Sequence, residues 1–154
     1  MQRLLETKGK LLGIDFGDKR TGLAVSDATR FLASGIGYIS VGGMQKTAAR
    51  ICEIIAEENI TGGIIVGLPV NMNGSEGPRA EHAKKFASIL SSLLEESGRA
   101  LPIVMIDERM TTMAAARYLN ETDTRGQKRK SVIDTLSAQI ILQNALDRLK
   151  NMQK

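Results

Sequence analysis

Apolar and polar positions fall into short, distinct blocks along this chain. Leu11, Leu12, Gly13 and Ile14 run without a polar break, the pattern of a strand covered on both faces, and Asp15, Phe16 and Gly17 end it. A second apolar run, Gly22–Ser26, follows after only Asp18–Thr21, so the pair predicts an antiparallel hairpin. Phe31–Val41 predicts a third strand, bent at its glycines. Ala48, Ile51, Cys52, Ile55 and Ala56 recur at helical spacing and predict a helix over Gln45–Asn59. Gly62–Leu68 reads as a buried strand stopped by Pro69. The polar Asn71–Gly77 loop leads to Pro78, which suits the first turn of a helix reaching Ser97. Leu101–Ile106 predicts a fifth strand, ending in Asp107-Glu108-Arg109. A short helix over Thr111–Asn120, with Thr111 as N-cap, and a long one over Val132–Lys150 complete the order.

Three consecutive strands passing into alternating helix and strand predict an α/β fold. Its sheet is mixed and five-stranded, its first three strands antiparallel, with helices on both faces. Ligands in such sheets gather at the carboxyl ends of parallel strands. Asp15 and the Asp107-Glu108 pair both lie at such ends and are expected to meet. No repeat or linker divides the chain, so its 154 residues are expected to form a single domain, 1–154, with a flexible basic loop over 122–130.

Composition narrows the picture. With 42% hydrophobic and 25% charged residues the chain reads as a soluble globular protein. No apolar run approaches the roughly 20 residues that span a bilayer, and Met1–Lys10 lacks the apolar core of a signal peptide. Cytoplasmic placement without a membrane partner is the expectation. The single cysteine, Cys52, excludes an internal disulfide and, among apolar helical neighbours, is expected to be a packed thiol. The net charge of +4 is modest, but Arg125, Lys128, Arg129 and Lys130 cluster within six residues. Such a run is either a solvated loop or an arm for a polyanion. With three Phe, two Tyr and no Trp, a base-stacking platform is not expected.

Asp15, Asp107 or Glu108, and Asp134 are the acids that carry chemical interest. Carboxylates brought together suit Mg²⁺ or Mn²⁺, which prefer hard oxygen ligands. Each acid also has a plain structural reading. Asp15 could cap its turn, Asp107 and Glu108 could be a solvated strand end, and Ser131-x-x-Asp134 matches a capping box. Adjacent strand residues face opposite ways, so only one of Asp107 and Glu108 belongs in a site; the longer reach of Glu108 favours it. Ala138, Ile141 and Ala145 share a stripe with Asp134 and turn it towards the core.

Other chemistries lack their residues. The one histidine, His82, lies among Glu81, Lys84 and Lys85 and is expected to be exposed, leaving none for a nucleophilic triad. Zinc ligands and a Gly-Lys-Ser/Thr phosphate loop are absent. Asp15-x-Gly17 with Thr21 is similar to the first phosphate loop of actin-like ATPases and sugar kinases, folds that need two such domains.

Four ordered segments, GIDFGDKRTGLAVSD, IIVGLPVNMNGSEG, IDERMTT and VIDTLSAQIIL, resemble the YqgF/RuvX family over about Lys10–Leu146. The family's members are candidate pre-16S ribosomal RNA nucleases and were earlier taken for Holliday junction resolvases. The resemblance implies an RNase H-like fold and hydrolysis of phosphodiester bonds. It implies Asp15, Glu108 and Asp134 as the catalytic, Mg²⁺- or Mn²⁺-binding acids. Lys19, Arg20 and Arg109 beside them, and Arg125, Lys128, Arg129 and Lys130, are then expected to contact nucleic acid; Asn71, Asn73 and Gly74 either touch it or form a polar turn. Strand four ends in Gly67-Leu68-Pro69, without the carboxylate that many RNase H-like nucleases carry there. Precursor 16S rRNA is the expected substrate, in a monomer or homodimer, with a ribosomal particle as candidate partner. The rivals are a dimeric resolvase acting on branched DNA and a non-catalytic RNA- or ribosome-binding module.

Overall fold

The computed structural model describes residues 1–108 and 126–153. Its strands are β1 (Lys10–Asp15), β2 (Thr21–Ser26), β3 (Ala33–Ile39), β4 (Ile60–Leu68) and β5 (Ile103–Asp107). Its helices are α1 (Gln2–Leu5), α2 (Met44–Glu57), α3 (Pro78–Glu96) and α4 (Gly126–Met152). The strands form one sheet in the order β3-β2-β1-β4-β5. The β1–β2 and β2–β3 pairs are antiparallel, and β1–β4 and β4–β5 are parallel. The expected mixed sheet is therefore present, and the acid-bearing β1 is its central strand.

Both faces of the sheet are covered. On one, Leu12, Ile14, Leu23, Ile64 and Val66 pack against Ile51, Ile55, Phe86 and Leu90 of α2 and α3. On the other, Leu11, Ala24, Ile65 and Ile106 pack against Ala138, Ile141, Leu142 and Ala145 of α4. Burial on both sides explains why β1 and β4 carry continuous apolar runs instead of alternating ones. Cys52 packs at the margin of the first core, where burial raises its thiol pKa. It is a packing residue, as expected.

Apart from shifts of one or two residues at element ends, three features differ from the sequence reading. The third strand begins at Ala33, not Phe31, because Asp27 folds back into the preceding turn and accepts hydrogen bonds from the Phe31 and Leu32 amides, each 2.9 Å. Those bonds and the Thr29 hydroxyl pull its carboxyl pKa down to about 2, the Leu32 amide contributing most. The short α1 escapes the pattern because four residues carry little periodicity. Its Leu4 is fully buried under α4, and Arg30 anchors it by donating to the Leu4 and Gly9 carbonyls at 2.6 and 2.8 Å. The last helix starts at Gly126, not Val132, so residues 126–130 of the expected basic loop are helical. Lys, Arg and Gln are good helix formers, and the run extends the helix instead of interrupting it. Asp134 thus lies within α4, and Ser131 does not open a capping box. The expected helix over Thr111–Asn120 lies outside the described residues.

Candidate active site

Strand parity assembles the site. Leu11 faces α4 while Leu12 and Ile14 face α2 and α3, so Asp15 at the end of β1 faces α4. Ile65 on β4 faces α4, and two residues on so does Gly67. Ile106 on β5 faces α4, and two residues on so does Glu108. Asp107 points the other way and is exposed, whereas Glu108 is 4% exposed. The Glu108 amide donates to the Leu68 carbonyl at 3.1 Å, which prolongs the β4–β5 pairing just far enough to fix it.

Two glycines flank Asp15 and admit the other acids. Gly22 pairs with Asp15 across β1 and β2, and any Cβ there would collide with the backbone of Asp134. The missing side chain lets α4 settle directly onto β2 at Asp134. On the opposite flank, a Cβ on Gly67 would collide with the Glu108 carboxylate and with Ile141. Glu108 crosses β4 through that space to reach Asp15. Sequence reading registered Gly67 only as a missing acid; here it is the passage through which β5 supplies one.

The electrostatics follow from this crowding. Asp15 has its pKa raised well above the ordinary 3.8, first by burial, then by the negative charge of Glu108, a hydrogen bond with it, and Asp134. Burial also raises Glu108 above 4.5, opposed by the Asp15 hydrogen bond and by the Arg79 cation. The hydrogen bond acts oppositely on the two acids, raising Asp15 as the donor and lowering Glu108 as the acceptor. Even so, Glu108 Oε2 remains buried with no hydrogen-bond partner. A buried carboxylate oxygen left unpaired is costly and calls for a cation or a donor.

Asp134 is held differently. Arg20 Nε donates to Asp134 Oδ2 at 2.8 Å, both side chains about one-quarter exposed. Burial raises the Asp134 pKa and the Arg20 ion pair opposes it. Asp15 and Glu108 are thus in contact, and Asp134 is close enough to act on Asp15 through its charge. Among the described residues, no three acidic, histidine or cysteine side chains are drawn together as a metal cage. The fit to a hard cation rests on the oxygen-only donor set and the orphaned Glu108 oxygen.

The surrounding cations divide. Lys19 is exposed and its carbonyl accepts from the Ser40 hydroxyl at 3.1 Å. Arg20 is engaged by Asp134. Sequence reading missed Arg79, which follows Pro78 at the start of α3 and lowers the pKa values of both Asp15 and Glu108. Nothing in its local pattern sets it apart from an ordinary helix-start residue. His82 is exposed, as expected, with Nδ1 3.4 Å from Asp18 Oδ1. Asn71, Asn73 and Ser75 satisfy one another: the Asn71 amide donates to the Ser75 carbonyl at 2.9 Å and the Ser75 hydroxyl to Asn73 Oδ1 at 2.7 Å. That is the polar-turn arrangement. Lys128, Arg129 and Lys130 lie on α4, while Arg109 and Arg125 fall outside the described residues.

Known proteins share this sequence and fold. A family model described as "RuvX: Holliday junction resolvase" matches residues 9–148. A protein of Ruminiclostridium cellulolyticum named "Putative pre-16S rRNA nuclease" is 40% identical over 146 residues, covering 94% of this chain and 99% of the relative. One of the same name from Bradyrhizobium sp. (strain ORS 278) is 44% identical over 147 residues, covering 96% and 88%. Among solved structures, T. thermophilus RuvC in complex with Holliday junction substrate superposes with a TM-score of 0.58 at 15% identity, covering 93% of this chain and 96% of that one. The yeast mitochondrial Holliday junction resolvase gives 0.51 at 14% identity, covering 98% and 87%. At such identities the structures establish the fold alone, and it is RNase H-like. No helix among the described residues is long and apolar enough to cross a membrane.

Proposed function

The chain belongs to the RuvX family, and on that premise we propose that it is a metal-assisted endonuclease that hydrolyses phosphodiester bonds in precursor 16S rRNA. The observation that carries this reading is the contact of half-buried Asp15 with buried Glu108 at the carboxyl ends of β1 and β5, Glu108 Oε2 having no hydrogen-bond partner. The RNA substrate follows from the names of the relatives that share at least 40% identity over nearly the whole chain.

Asp15, Glu108 and Asp134 would hold Mg²⁺ or Mn²⁺, which when bound supplies charge stabilisation at the scissile phosphate and lowers the pKa of an attacking water. The chain's own residues do the rest. Asp15 and Glu108 would hold the ion as ionised carboxylates. Arg20 holds Asp134 in place beside Asp15 and is set to exchange that carboxylate for a phosphate. Lys19 and Arg109 would steady phosphates on either side of the cut, and Arg125, Lys128, Arg129 and Lys130 would contact the backbone further out. Work on ribosomal precursors agrees with the cytoplasm as the place of action and with a pre-ribosomal particle as partner.

A second reading, cleavage of four-way DNA, is favoured by the description of the family model. Both are tested by incubating wild-type and Asp15→Asn protein with a precursor 16S rRNA fragment and with a DNA four-way junction, with and without Mn²⁺. The expected result is Mn²⁺-dependent cutting of the RNA by wild type alone. Cutting of the junction alone would move the substrate to DNA. Equal cutting by Asp15→Asn would remove the acids from the reaction.

A further inference from the structure

We propose that Arg79 is a catalytic residue of this site, its guanidinium binding the non-bridging oxygens of the phosphate that lies over Asp15 and Glu108. The inference rests on the nuclease reading above and adds to it a residue that the sequence motifs left out.

Its placement comes from two contacts that seat the start of α3 against the β1–β2 turn. Phe86 stacks on Phe16, the residue after Asp15, with ring centroids 4.5 Å apart. One helical turn beyond Arg79, His82 meets Asp18 of the same turn at 3.4 Å. Arg79 lies on the rung before these, near enough for its charge to act on both Asp15 and Glu108. Pro78 precedes it at the start of the helix and restricts the backbone that carries it.

Its state points to a ligand. Arg79 is exposed and, among the described residues, makes no hydrogen bond or ion pair, although two acids lie within reach of its field. The other arginine of the site, Arg20, is already engaged by Asp134. A guanidinium paired to Asp15 or Glu108 would compete with a metal ion for the same oxygens. Held beside them without a bond to either, it does not compete, and its planar fork matches two phosphate oxygens. The acids repel a phosphate that approaches without a cation, and Arg79 offsets that repulsion. Charge on those oxygens grows during hydrolysis, so the contact strengthens in the transition state.

The test compares wild type, Arg79→Ala, Arg79→Lys and Arg99→Ala, which removes an exposed cation in the loop beyond the far end of α3. Two measurements are made: Mn²⁺-dependent cleavage of the precursor fragment, and equilibrium binding of the same RNA in Ca²⁺ across a range of salt. For Arg79→Ala we expect kcat to fall about 100-fold, as when one donor to a developing oxyanion is lost. KM should change much less, and the slope of log affinity against log salt should shrink by about 0.7. Arg79→Lys should recover the salt slope and part of the rate, and Arg99→Ala should match wild type. If wild type cuts and Arg79→Ala equals it in rate and slope, the role of Arg79 is overturned while the nuclease reading stands. If wild type cuts no nucleic acid but the Arg79→Ala slope still shrinks, the nuclease reading falls and the phosphate contact survives. If the slope is also unchanged, both fall.

Discussion

The carboxylate of Glu108 occupies the space that a side chain at Gly67 would fill. This links the two parallel strands that meet at the site. Asp15 on β1 and Glu108 beyond β5 are separated by β4, and they touch because β4 presents a glycine where it passes between them.

Gly67→Ala should therefore act as a lesion of Glu108. The added methyl displaces the carboxylate from Asp15 and presses on Ile141. Overpacking of this kind typically costs about 1–3 kcal/mol. The expected outcome is a folded protein with a lower thermal midpoint and cleavage reduced as severely as in Glu108→Gln. Circular dichroism melts and single-turnover assays on the two variants check it. Wild-type rates in Gly67→Ala would show that Glu108 does not need that path.

Stability without metal should depend on pH in a direction that the raised pKa values of Asp15 and Glu108 fix. In the unfolded chain these acids titrate near 3.8 and 4.5, and both are raised on folding. Above that range the folded protein retains protons that the unfolded chain has lost. Stability must then fall as pH rises from about 4 through the raised folded values. Melting in EDTA across pH 4–9 should show this decline, and Asp15→Asn should flatten it. Mn²⁺ should raise the midpoint more at pH 8 than at pH 5, because loading needs both acids ionised.

Arg20→Ala should separate metal binding from turnover. The Arg20–Asp134 pair is partly exposed, so its loss should cost at most about 1 kcal/mol of stability. Freed from its counter-cation, Asp134 should contribute more strongly to Mn²⁺ binding and lower the half-saturating concentration. Cleavage at saturating Mn²⁺ should nevertheless fall, since the carboxylate is no longer oriented. Titration calorimetry and rate measurements on one preparation check both.

Replacing Lys128, Arg129 and Lys130 with Gln should weaken RNA binding and reduce its salt slope by about 2, the sum for three single-strand phosphate contacts. Binding in Ca²⁺ at several salt concentrations measures it. An unchanged slope would make this stretch of α4 a solvated helical face and nothing more.

The parts of the site legible in the sequence were those set by local pattern. A continuous apolar run ending in Asp15, and the rule that only one of Asp107 and Glu108 can face the site, follow from a period of two and from burial on both faces; the longer reach that favoured Glu108 is a matter of side-chain length alone. What escaped depends on contacts between residues distant in the chain. Arg79 looks like any residue after an N-terminal proline until Phe16 and Phe86 dock its helix beside Asp15. Arg20 reads as a phosphate contact beside the acids, and only α4 shows that Asp134 already engages it. Gly22 and Gly67 read as ordinary strand residues, and only the helix and the carboxylate that overlie them show why a side chain is excluded.

The position of Asp134 on α4 has a consequence for synthesis. β1, β2 and β4 emerge from the ribosome long before the helix that covers them, and until it docks, Leu11, Ala24 and Ile65 lie open on one side. The nascent chain therefore carries an incomplete set of acids for most of its translation. On the mechanism proposed above, cutting power would arise only when the final helix seals the sheet, so closure of the apolar layer would also complete the site.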